Sequence, residues 1–345
     1  MLRIAVDAMG GDFAPANEVA GAVEALRERR DSFQVLLVGR EQAIKDELQK
    51  HDVRGLSLSV IPASEVITME DSPTAALKQK KDSSLAVGVR MHQEGKADAF
   101  VSAGNTGAVL SATTLILGRI KGVSRPTIGT FLPAEGGYCL LVDAGTNVDC
   151  RARHLYEFAI MGSLYFGLMM KKDRPTVALL NVGEEKGKGT ETINEAYAML
   201  EAGKLNFIGN VEGRDILKRK ADVVVCDGFV GNIVLKFGES IPGFLKGRLR
   251  QYASQGFMNT LLVGLAKGSL KNALKDMDPN LEGGVPVLGA KGVSIIGHGS
   301  STPTGIKNMI LKAVEVASLR IDKHIEEAFS ASHALEQQDL SAAEL

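Results

Sequence analysis

Polar residues and glycines recur in this 345-residue sequence at the points where short apolar runs end. The motifs read DAMGGD, SAGNTGA, DAGTNVD, NVGEEKGKG and CDGFVGN. In an open parallel sheet the carboxyl ends of the strands form the crevice in which ligands bind. We therefore expect the five motifs to meet at one edge of a sheet. Small residues before a helix leave free N–H groups there, so the predicted ligand is an anion.

The candidate phosphate- or substrate-binding residues come from these motifs. They are Asp7, Gly10, Gly11, Asp12, Ser102, Asn105, Thr106, Gly107, Asp143, Asn147, Glu185, Asp227 and Gly228. Taken singly each signal is weak, because an Asn or Asp after a strand is more often a turn former or a helix cap. Asn105 or Thr106 could simply cap the helix that follows.

The carboxylates in these motifs would repel a bare polyanion, so the site also needs cations. Lys186 and Lys188 of EEKGKG are the best placed, although a solvated, glycine-flexible loop is the alternative. The prediction names no metal, and a divalent ion held by the carboxylates stays an alternative. No cofactor is expected.

No protein nucleophile stands out in the sequence. There is no GxSxG motif, the cysteines lack a paired histidine nearby in sequence, and His298 of GHGSS is the only histidine in a motif-like setting. His298 could also merely pack beside the glycines. The chemistry therefore points to a substrate that brings its own nucleophile, as inorganic phosphate does.

The overall composition excludes several classes of protein. The formal net charge is −1, so no global field recruits nucleic acid. Three cysteines without a CxxC spacing predict neither a disulfide framework nor a zinc site. The sequence has no leader-like start and no uninterrupted apolar run of about 18 residues. We expect a cytoplasmic protein that does not span a membrane.

The elements that must position the motifs are short β-branched runs alternating with helical patterns. Nine runs predict strands: RIAVDA, FQVLLVG, LSLSVIPA, AFVSAG, TIGTFLP, YCLLVDAG, TVALLNVG, FIGNVEG and DVVVCDG. Four intervening helices are predicted at 18–30, 41–51, 74–94 and 152–170. The alternation is typical of an α/β fold with a mostly parallel sheet and helices on both faces. We expect one domain over 1–330 and a polar, flexible tail over 331–345.

One segment, about 239–278, has helix-like sequence broken at Gly256 and no strand signal. At 100° per residue its apolar residues fall within an arc of roughly 140°. They are Phe257, Met258, Leu261, Leu262 and Leu265. Periodicity alone cannot separate packing against a neighbouring helix from an exposed face that enters a lipid surface or a partner's groove.

With VLGAKG and GHGSS added, seven ordered motifs over about residues 1–325 make the chain resemble the phosphate acyltransferases of bacterial phospholipid synthesis, the PlsX family. The resemblance implies a three-layer α/β/α fold similar to isocitrate and isopropylmalate dehydrogenases and to phosphotransacetylase. It also implies a homodimer that transfers a long-chain acyl group from acyl carrier protein to inorganic phosphate. The acyl phosphate passes to a membrane glycerol-3-phosphate acyltransferase.

The same resemblance implies roles for particular residues. Asn232 and Lys188 match positions implicated in activity, with Lys186 as a rival, and His298 or a carboxylate adjusts protonation. The resemblance favours a lipid-facing 257–275 helix and a peripheral membrane protein. Basic residues for docking the acidic carrier would be Lys246, Arg248, Arg250 and the lysines from Lys267 to Lys275. The rival hypotheses are a nicotinamide-dependent dehydrogenase, a short-chain phosphotransacetylase using coenzyme A, and a non-catalytic scaffold.

Overall fold

A computed structural model describes residues 1–330. The predicted tail at 331–345 lies outside the described residues. Within them the strands are β1 (Leu2–Asp7), β2 (Phe33–Gly39), β3 (Leu58–Pro62), β4 (Ala99–Ser102), β5 (Thr127–Ala134), β6 (Gly137–Val142), β7 (Thr176–Leu180), β8 (Asn206–Val211), β9 (Val223–Val225), β10 (Val285–Leu288) and β11 (Val293–Ile296). All nine predicted strands are confirmed, while β10 and β11 were missed.

The helices follow the strands in regular alternation through most of the chain. They are α1 (Ala16–Glu28), α2 (Glu41–Leu48), α3 (Pro73–Gln79), α4 (Ser84–Gln93), α5 (Thr106–Ala112), α6 (Ala152–Met170), α7 (Glu191–Ala202), α8 (Gly213–Ile216), α9 (Gly228–Ala253), α10 (Phe257–Ala273), α11 (Pro279–Glu282) and α12 (Pro303–Ser318). The helix predicted at 74–94 is two helices, because the Ser83 hydroxyl caps a new N-terminus by accepting a hydrogen bond from Ala86.

The strands form one sheet in the order β3-β2-β1-β4-β11-β10-β5-β6-β9-β7-β8. β1, β2, β3, β4 and β11 run parallel to one another. β6, β7, β8 and β9 are also mutually parallel. Between the two sets, β10 is antiparallel to both β11 and β5, and β5 is antiparallel to β6. The two parallel sets therefore run in opposite directions.

Alternate residues of the strands in the first set pack into different cores. Ile4 of β1 lies in the cluster that contains Leu26 of α1 and Ile310 of α12. Its neighbour Ala5 lies in a second cluster with Leu85 of α4. Successive side chains of a strand point to opposite faces, so helices cover both faces of this half of the sheet.

The second set of strands is covered on both faces in the same way. Val142 of β6 packs with Phe158 of α6, and Leu141 packs on the other face with Ile216 of α8. The protein is thus an α/β fold of three layers with a mostly parallel sheet, as the sequence predicted. Each fully buried large apolar side chain contributes on the order of 2 kcal/mol of burial free energy.

The opposed strand directions overturn one prediction. The carboxyl ends of β1 and β4, which carry DAMGGD and SAGNTGA, lie at one edge of the sheet, here called the Asp7 edge. Those of β6, β7 and β9 carry the other three motifs at the opposite edge, here called the Asn232 edge. The prediction that all five motifs meet at one edge is wrong, because the β5–β6 hairpin, with only Glu135 and Gly136 at its turn, reverses the chain.

Candidate functional site

Three neighbouring strands build the Asn232 edge. β9 lies between β6 and β7, and Val225 is paired with Val142 on one side and Leu179 on the other. Adjacent strands are about 4.8 Å apart, so the loops after the three strands start within about 10 Å of one another. The DAGTNVD, CDGFVGN and NVGEEKGKG motifs therefore do converge, as a group of three.

Asp143 organises the loop that follows β6. Its buried carboxylate accepts hydrogen bonds from the backbone N–H groups of Gly145, Thr146 and Asn147 at 2.8–3.0 Å. It also accepts from the Thr146 hydroxyl at 2.6 Å and from the Asn147 amide at 2.8 Å. Because these bonds occupy both carboxylate oxygens, Asp143 shapes the loop, and the Asn147 amide, which also donates to the Pro126 carbonyl, supports it.

Helix α9 begins at this loop. Asp227 is its N-cap and accepts a hydrogen bond from Val230 N–H at 2.9 Å. The Gly228 N–H donates to the Asn147 carbonyl at 2.8 Å, so this predicted ligand-binding amide already has a partner. One turn further, a Cβ placed on Gly145 would lie 3.2 Å from the Cβ of Asn232. The Asn232 side chain is exposed beside this loop and makes no hydrogen bond within residues 1–330.

The loop after β7 carries the two candidate lysines. The Lys186 amine is bound at 2.9 and 2.7 Å by the two carboxylate oxygens of Glu201 on α7, and it lies over the Tyr197 ring. Glu184 is held by Lys220 at 2.6 Å. Lys188 is exposed and has no ion pair in the part of the chain that the structure describes. Of the two lysines, only Lys186 has an ion pair within residues 1–330, and Glu185 is exposed beside Lys188.

The cysteines around this edge are poor nucleophiles. Burial raises the pKa of the Cys150 thiol to about 12, with a further rise from Asp143 and Asp227. Burial also raises the pKa of Cys226 well above its ordinary value. Both groups are protonated at neutral pH, and a thiol reacts as its thiolate. That the chain supplies no nucleophile stays a prediction.

At the Asp7 edge the side chains pack tightly against the glycines. The Ser102 hydroxyl donates to the buried Asp7 carboxylate at 2.8 Å and accepts from Gly104 N–H at 3.0 Å. Burial raises the pKa of Asp7. A Cβ on Gly10 would lie 2.3 Å from the Asp7 carboxylate, so only glycine fits there. Asp12 donates through its backbone N–H to the Gly299 carbonyl and so joins the two loops.

The side-chain amide of Asn105 makes structural hydrogen bonds through both its oxygen and its nitrogen. Its Oδ1 caps α5 by accepting from Ala108 N–H, and its Nδ2 lies 3.2–3.3 Å from the carbonyls of Thr68, Met69 and Asp71. The side chain thus ties the 68–71 loop to the helix. In the same motif Thr106 is exposed, and Gly107 packs against Pro73. For Asn105 the geometry agrees with the helix-cap alternative.

Glu18 is a buried ionisable group that the sequence reasoning missed. It lies in the first turn of α1, is 2% exposed, and its Oε2 has no hydrogen-bond partner within residues 1–330. Burial raises its pKa to about 8, and the nearby Asp7 and Asp12 add to the rise. A Cβ on Gly11 would lie 2.4 Å from its Oε1. The signal in the sequence was an acidic residue shortly after DAMGGD, which resembles an ordinary first-turn glutamate.

Helix α9 connects the two edges. At the Asp7 edge, Nε2 of His298 lies 3.2 Å from Oε1 of Glu239. Glu239 follows Asn232 by two helical turns on nearly the same face, or about 10 Å along the axis. Lys236 also binds Glu239, at 2.8 Å. His298 therefore contacts α9 about 10 Å along the axis from the position of Asn232, and a catalytic role for either residue stays a prediction.

The helical segment predicted at about 239–278 contains the end of α9 and all of α10, with the break at Gly256; α9 and α10 together are here called the helical hairpin. No residue of α10 is buried, and its predicted apolar face is largely exposed. Phe257 is 85%, Met258 62%, Leu261 46%, Leu262 51% and Leu265 74% exposed. The packing alternative for this face is therefore wrong within one protomer.

Residues 1–330 contain neither a candidate metal site nor a membrane-spanning helix. No group of three or more His, Cys, Asp or Glu side chains in that range is placed to hold a metal ion. In the same range no helix has both the length and the apolar character needed to cross a bilayer.

Comparison with known proteins decides the family. The family described as "Fatty acid synthesis protein" matches residues 2–323. A protein named phosphate acyltransferase from Chlorobaculum parvum is 47% identical over 334 residues, which cover 94% of this chain and 98% of the relative. One of the same name from Heliobacterium modesticaldum is 49% identical over 310 residues, covering 90% and 92%. The chain belongs to this phosphate acyltransferase family.

Similarity to solved structures supports the fold of this phosphate acyltransferase family member. A phosphotransacetylase from Streptococcus pyogenes superposes with a TM-score of 0.61 at 16% sequence identity, over 92% of this chain and 94% of that one. At that identity the match concerns the fold alone. The phosphate acyltransferase family resemblance was visible in the motifs, whereas the separation of those motifs onto two edges was not.

Proposed function

We propose that this protein transfers a long-chain fatty acyl group from acyl carrier protein to inorganic phosphate, giving acyl phosphate for phospholipid synthesis. Membership of the phosphate acyltransferase family supports an acyltransferase that uses phosphate. The observation that supports the site assignment is that Lys188 and Asn232 follow the adjacent strands β7 and β9, and that neither side chain has a hydrogen bond or ion pair within residues 1–330. We also expect, as the resemblance implies, a likeness to isocitrate dehydrogenases.

The chemistry needs positioning and charge stabilisation more than a protein nucleophile. A phosphate oxygen attacks the thioester carbonyl carbon, a C–O bond forms, and the carbonyl electrons move onto oxygen. When the tetrahedral intermediate collapses, the C–S bond breaks and the carrier's thiolate leaves. Lys188 neutralises phosphate charge during the approach, and Asn232 donates to the developing oxyanion. Such a donor contributes about 3 kcal/mol to transition-state stability, and holding both reactants together adds the advantage of proximity.

The test measures acyl phosphate as its hydroxamate with palmitoyl carrier protein and phosphate as substrates. We expect Lys188→Ala and Asn232→Ala each to lower kcat by about 100-fold. Lys186→Ala is the matched control, because its amine is bound to Glu201, and it should lose less than about 10-fold. Equal losses for the two lysine variants would contradict the assignment. Greater activity with acetyl-coenzyme A than with the palmitoyl donor would overturn the substrate assignment.

The homodimer is part of the same proposal. α9 exposes an apolar stripe of Phe229, Val230, Ile233, Phe237 and Phe244, of which Phe237 is 71% and Phe244 66% exposed. At 100° per residue the five fall within an arc of about 100°, opposite the face that packs on the sheet. A stripe of this width is typical of a helix that packs on another helix. A second copy packed there would cover the region beside Asn232.

We assign the exposed α10 face to a peripheral, reversible contact with the membrane in an otherwise cytoplasmic protein. Apolar burial and a few lysines provide adsorption of this kind. The contact would release acyl phosphate beside the membrane glycerol-3-phosphate acyltransferase that uses it. Basic residues along the hairpin, Lys246, Arg248, Arg250, Lys267, Lys271 and Lys275, offer a surface for the acidic carrier. The protein has no expected nucleic-acid partner.

A further inference from the structure

The loop that carries Lys188 is held by two buried amides. Asn181, the residue after β7, donates from Nδ2 to the Lys188 carbonyl at 3.0 Å. Asn210, in β8, donates from Nδ2 to the Glu185 carbonyl at 3.1 Å. The two side chains are 8% and 5% exposed. A buried amide is costly unless it is hydrogen-bonded, so two of them beneath an exposed loop require an explanation.

A bulge in β8 aims Asn210 at this loop. Val177 of β7 is paired with Phe207, but Leu179 is paired with Asn210, so β8 has one extra residue between the two pairs. Gly209 lies within this bulge, and its φ of +94° favours glycine. Because strand side chains alternate between faces, one inserted residue reverses the face to which residue 210 points. The bulge in β8 thus places the Asn210 amide under the loop that carries Lys188.

Asn181 fits against the loop on the other side of Lys188. Its Oδ1 accepts from Val182 N–H at 2.8 Å, so both ends of the amide are used. Gly189 lies on this amide so closely that a Cβ there would be 2.4 Å from the Asn181 Oδ1. Gly187, the glycine on the other side of Lys188, has a φ of +91°, close to the +85° of Gly189. A Cβ on Gly187 would meet nothing within 4 Å. The chain therefore offers a matched pair of glycines.

We propose that Asn181 and Asn210 are positioning residues that fix the backbone on both sides of Lys188, so that its amine is held toward Asn232 during acyl transfer. This inference rests on the proposed function of Lys188. The ion pairs of Glu184 with Lys220 and of Lys186 with Glu201 lie at the surface, and such pairs contribute little. We therefore assign the positioning to the contacts of the two buried amides.

The main test compares two glycine variants. Gly189→Ala pushes on the Asn181 amide, whereas Gly187→Ala imposes a similar backbone cost without that collision. A misplacement of about 1 Å lowers the rate by up to about 100-fold. We expect kcat, measured well below both thermal unfolding midpoints, to fall at least about 10-fold more in Gly189→Ala than in Gly187→Ala. Equal kcat losses in the two variants would overturn the proposal.

A double-mutant cycle separates positioning from a general structural effect. If the amides act through the Lys188 amine, Gly189→Ala should change the residual kcat of Lys188→Ala by less than about 2-fold. If the two losses multiply instead, the proposed positioning role is wrong. Should Lys188→Ala itself retain wild-type kcat, the failure lies with the function proposed for Lys188.

Variants of the amides themselves complete the test. Asn181→Asp and Asn210→Asp keep the size of the side chain but place a carboxylate oxygen against a carbonyl. Asn206→Asp is the control on the same strand, since Asn206 donates to the Arg174 carbonyl at the far end of β8. We expect kcat to fall about 10-fold or more in the first two variants and to stay unchanged in the control. Unchanged kcat in both Asn181→Asp and Asn210→Asp would refute the assignment.

Discussion

Replacing Glu18 by glutamine should change how the stability of the protein depends on pH. In the folded chain the pKa of Glu18 is about 8, against an ordinary value of 4.5, and burial is the main cause. The folded state therefore keeps a proton that the unfolded chain releases above its own pKa. Stability from this group is fully present below about pH 4.5, falls as the pH rises toward 8, and is constant above that value.

The size of the effect follows from the two pKa values. Integrating the proton linkage between pH 5 and pH 8 gives a loss of about 3.5 kcal/mol in the free energy of unfolding, as an upper value. For a chain of this length that is a shift of about 5 °C in the unfolding midpoint. Glutamine keeps the shape and cannot ionise, so Glu18→Gln should lack this part of the pH dependence.

The assay is denaturant unfolding of the wild type and of Glu18→Gln at several pH values from 5 to 8. The difference between the two proteins at each pH cancels the titration of groups that do not interact with Glu18. We expect the free energy of unfolding of Glu18→Gln, relative to that of the wild type, to increase steadily as the pH rises. Glu24→Gln is the control, because Glu24 lies exposed on the same helix and should give a constant difference. A constant difference for Glu18→Gln as well would refute the buried, protonated state of Glu18.

Two further predictions concern the exposed apolar surfaces of the helical hairpin. Leu261→Glu with Leu265→Glu should leave a folded dimer that no longer sediments with anionic vesicles, because it places charge on the lipid-facing side of α10; unchanged sedimentation would rule out that membrane face. Phe237→Glu, in the middle of the α9 stripe, should yield a monomer by light scattering while the α10 double variant stays dimeric; a dimer with unchanged dissociation would place the interface elsewhere.

Much of the fold was predictable because its strands are short, β-branched and apolar. The runs that became β1 and β2, for example, are buried on both faces and so have near-continuous apolar sequences. β10 and β11 were missed although they are no shorter than the predicted β4 and β9, and Pro286 within β10 argues against a strand. Their positions at the antiparallel centre of the sheet are set by tertiary pairing, which local sequence does not encode.

The error about the sheet edge had a signal in the sequence. TIGTFLPA and GYCLLV are separated by Glu135 and Gly136 alone, and two strands joined by two residues form an antiparallel hairpin. A hairpin reverses the direction of the chain. Strands that pair in parallel with its second strand therefore run opposite to the strands before it. Recognition of that hairpin would have predicted DAGTNVD at the edge of the sheet opposite to the one that carries DAMGGD.

The choice between the two lysines could not be made from the sequence, because it depends on a partner 15 residues away in the chain. Lys186 and Lys188 have almost the same local surroundings, yet only Lys186 reaches Glu201 on α7. The buried Asn210 was equally hidden, since an asparagine in FIGNV predicts only a weaker strand. Polar residues that fold into the interior acquire their roles from the register of neighbouring strands.

The separation of the two edges also constrains how protons move. Hydrogen-bonded transfer spans about 3 Å, or one water more. His298 contacts Glu239, which follows Asn232 by about 10 Å along α9, and we expect that separation to exceed one hydrogen bond. Its contact with Glu239 instead ties the GHGSS loop to the middle of α9. The Asp7 edge thus contacts the helix from whose first turns Asn232 projects.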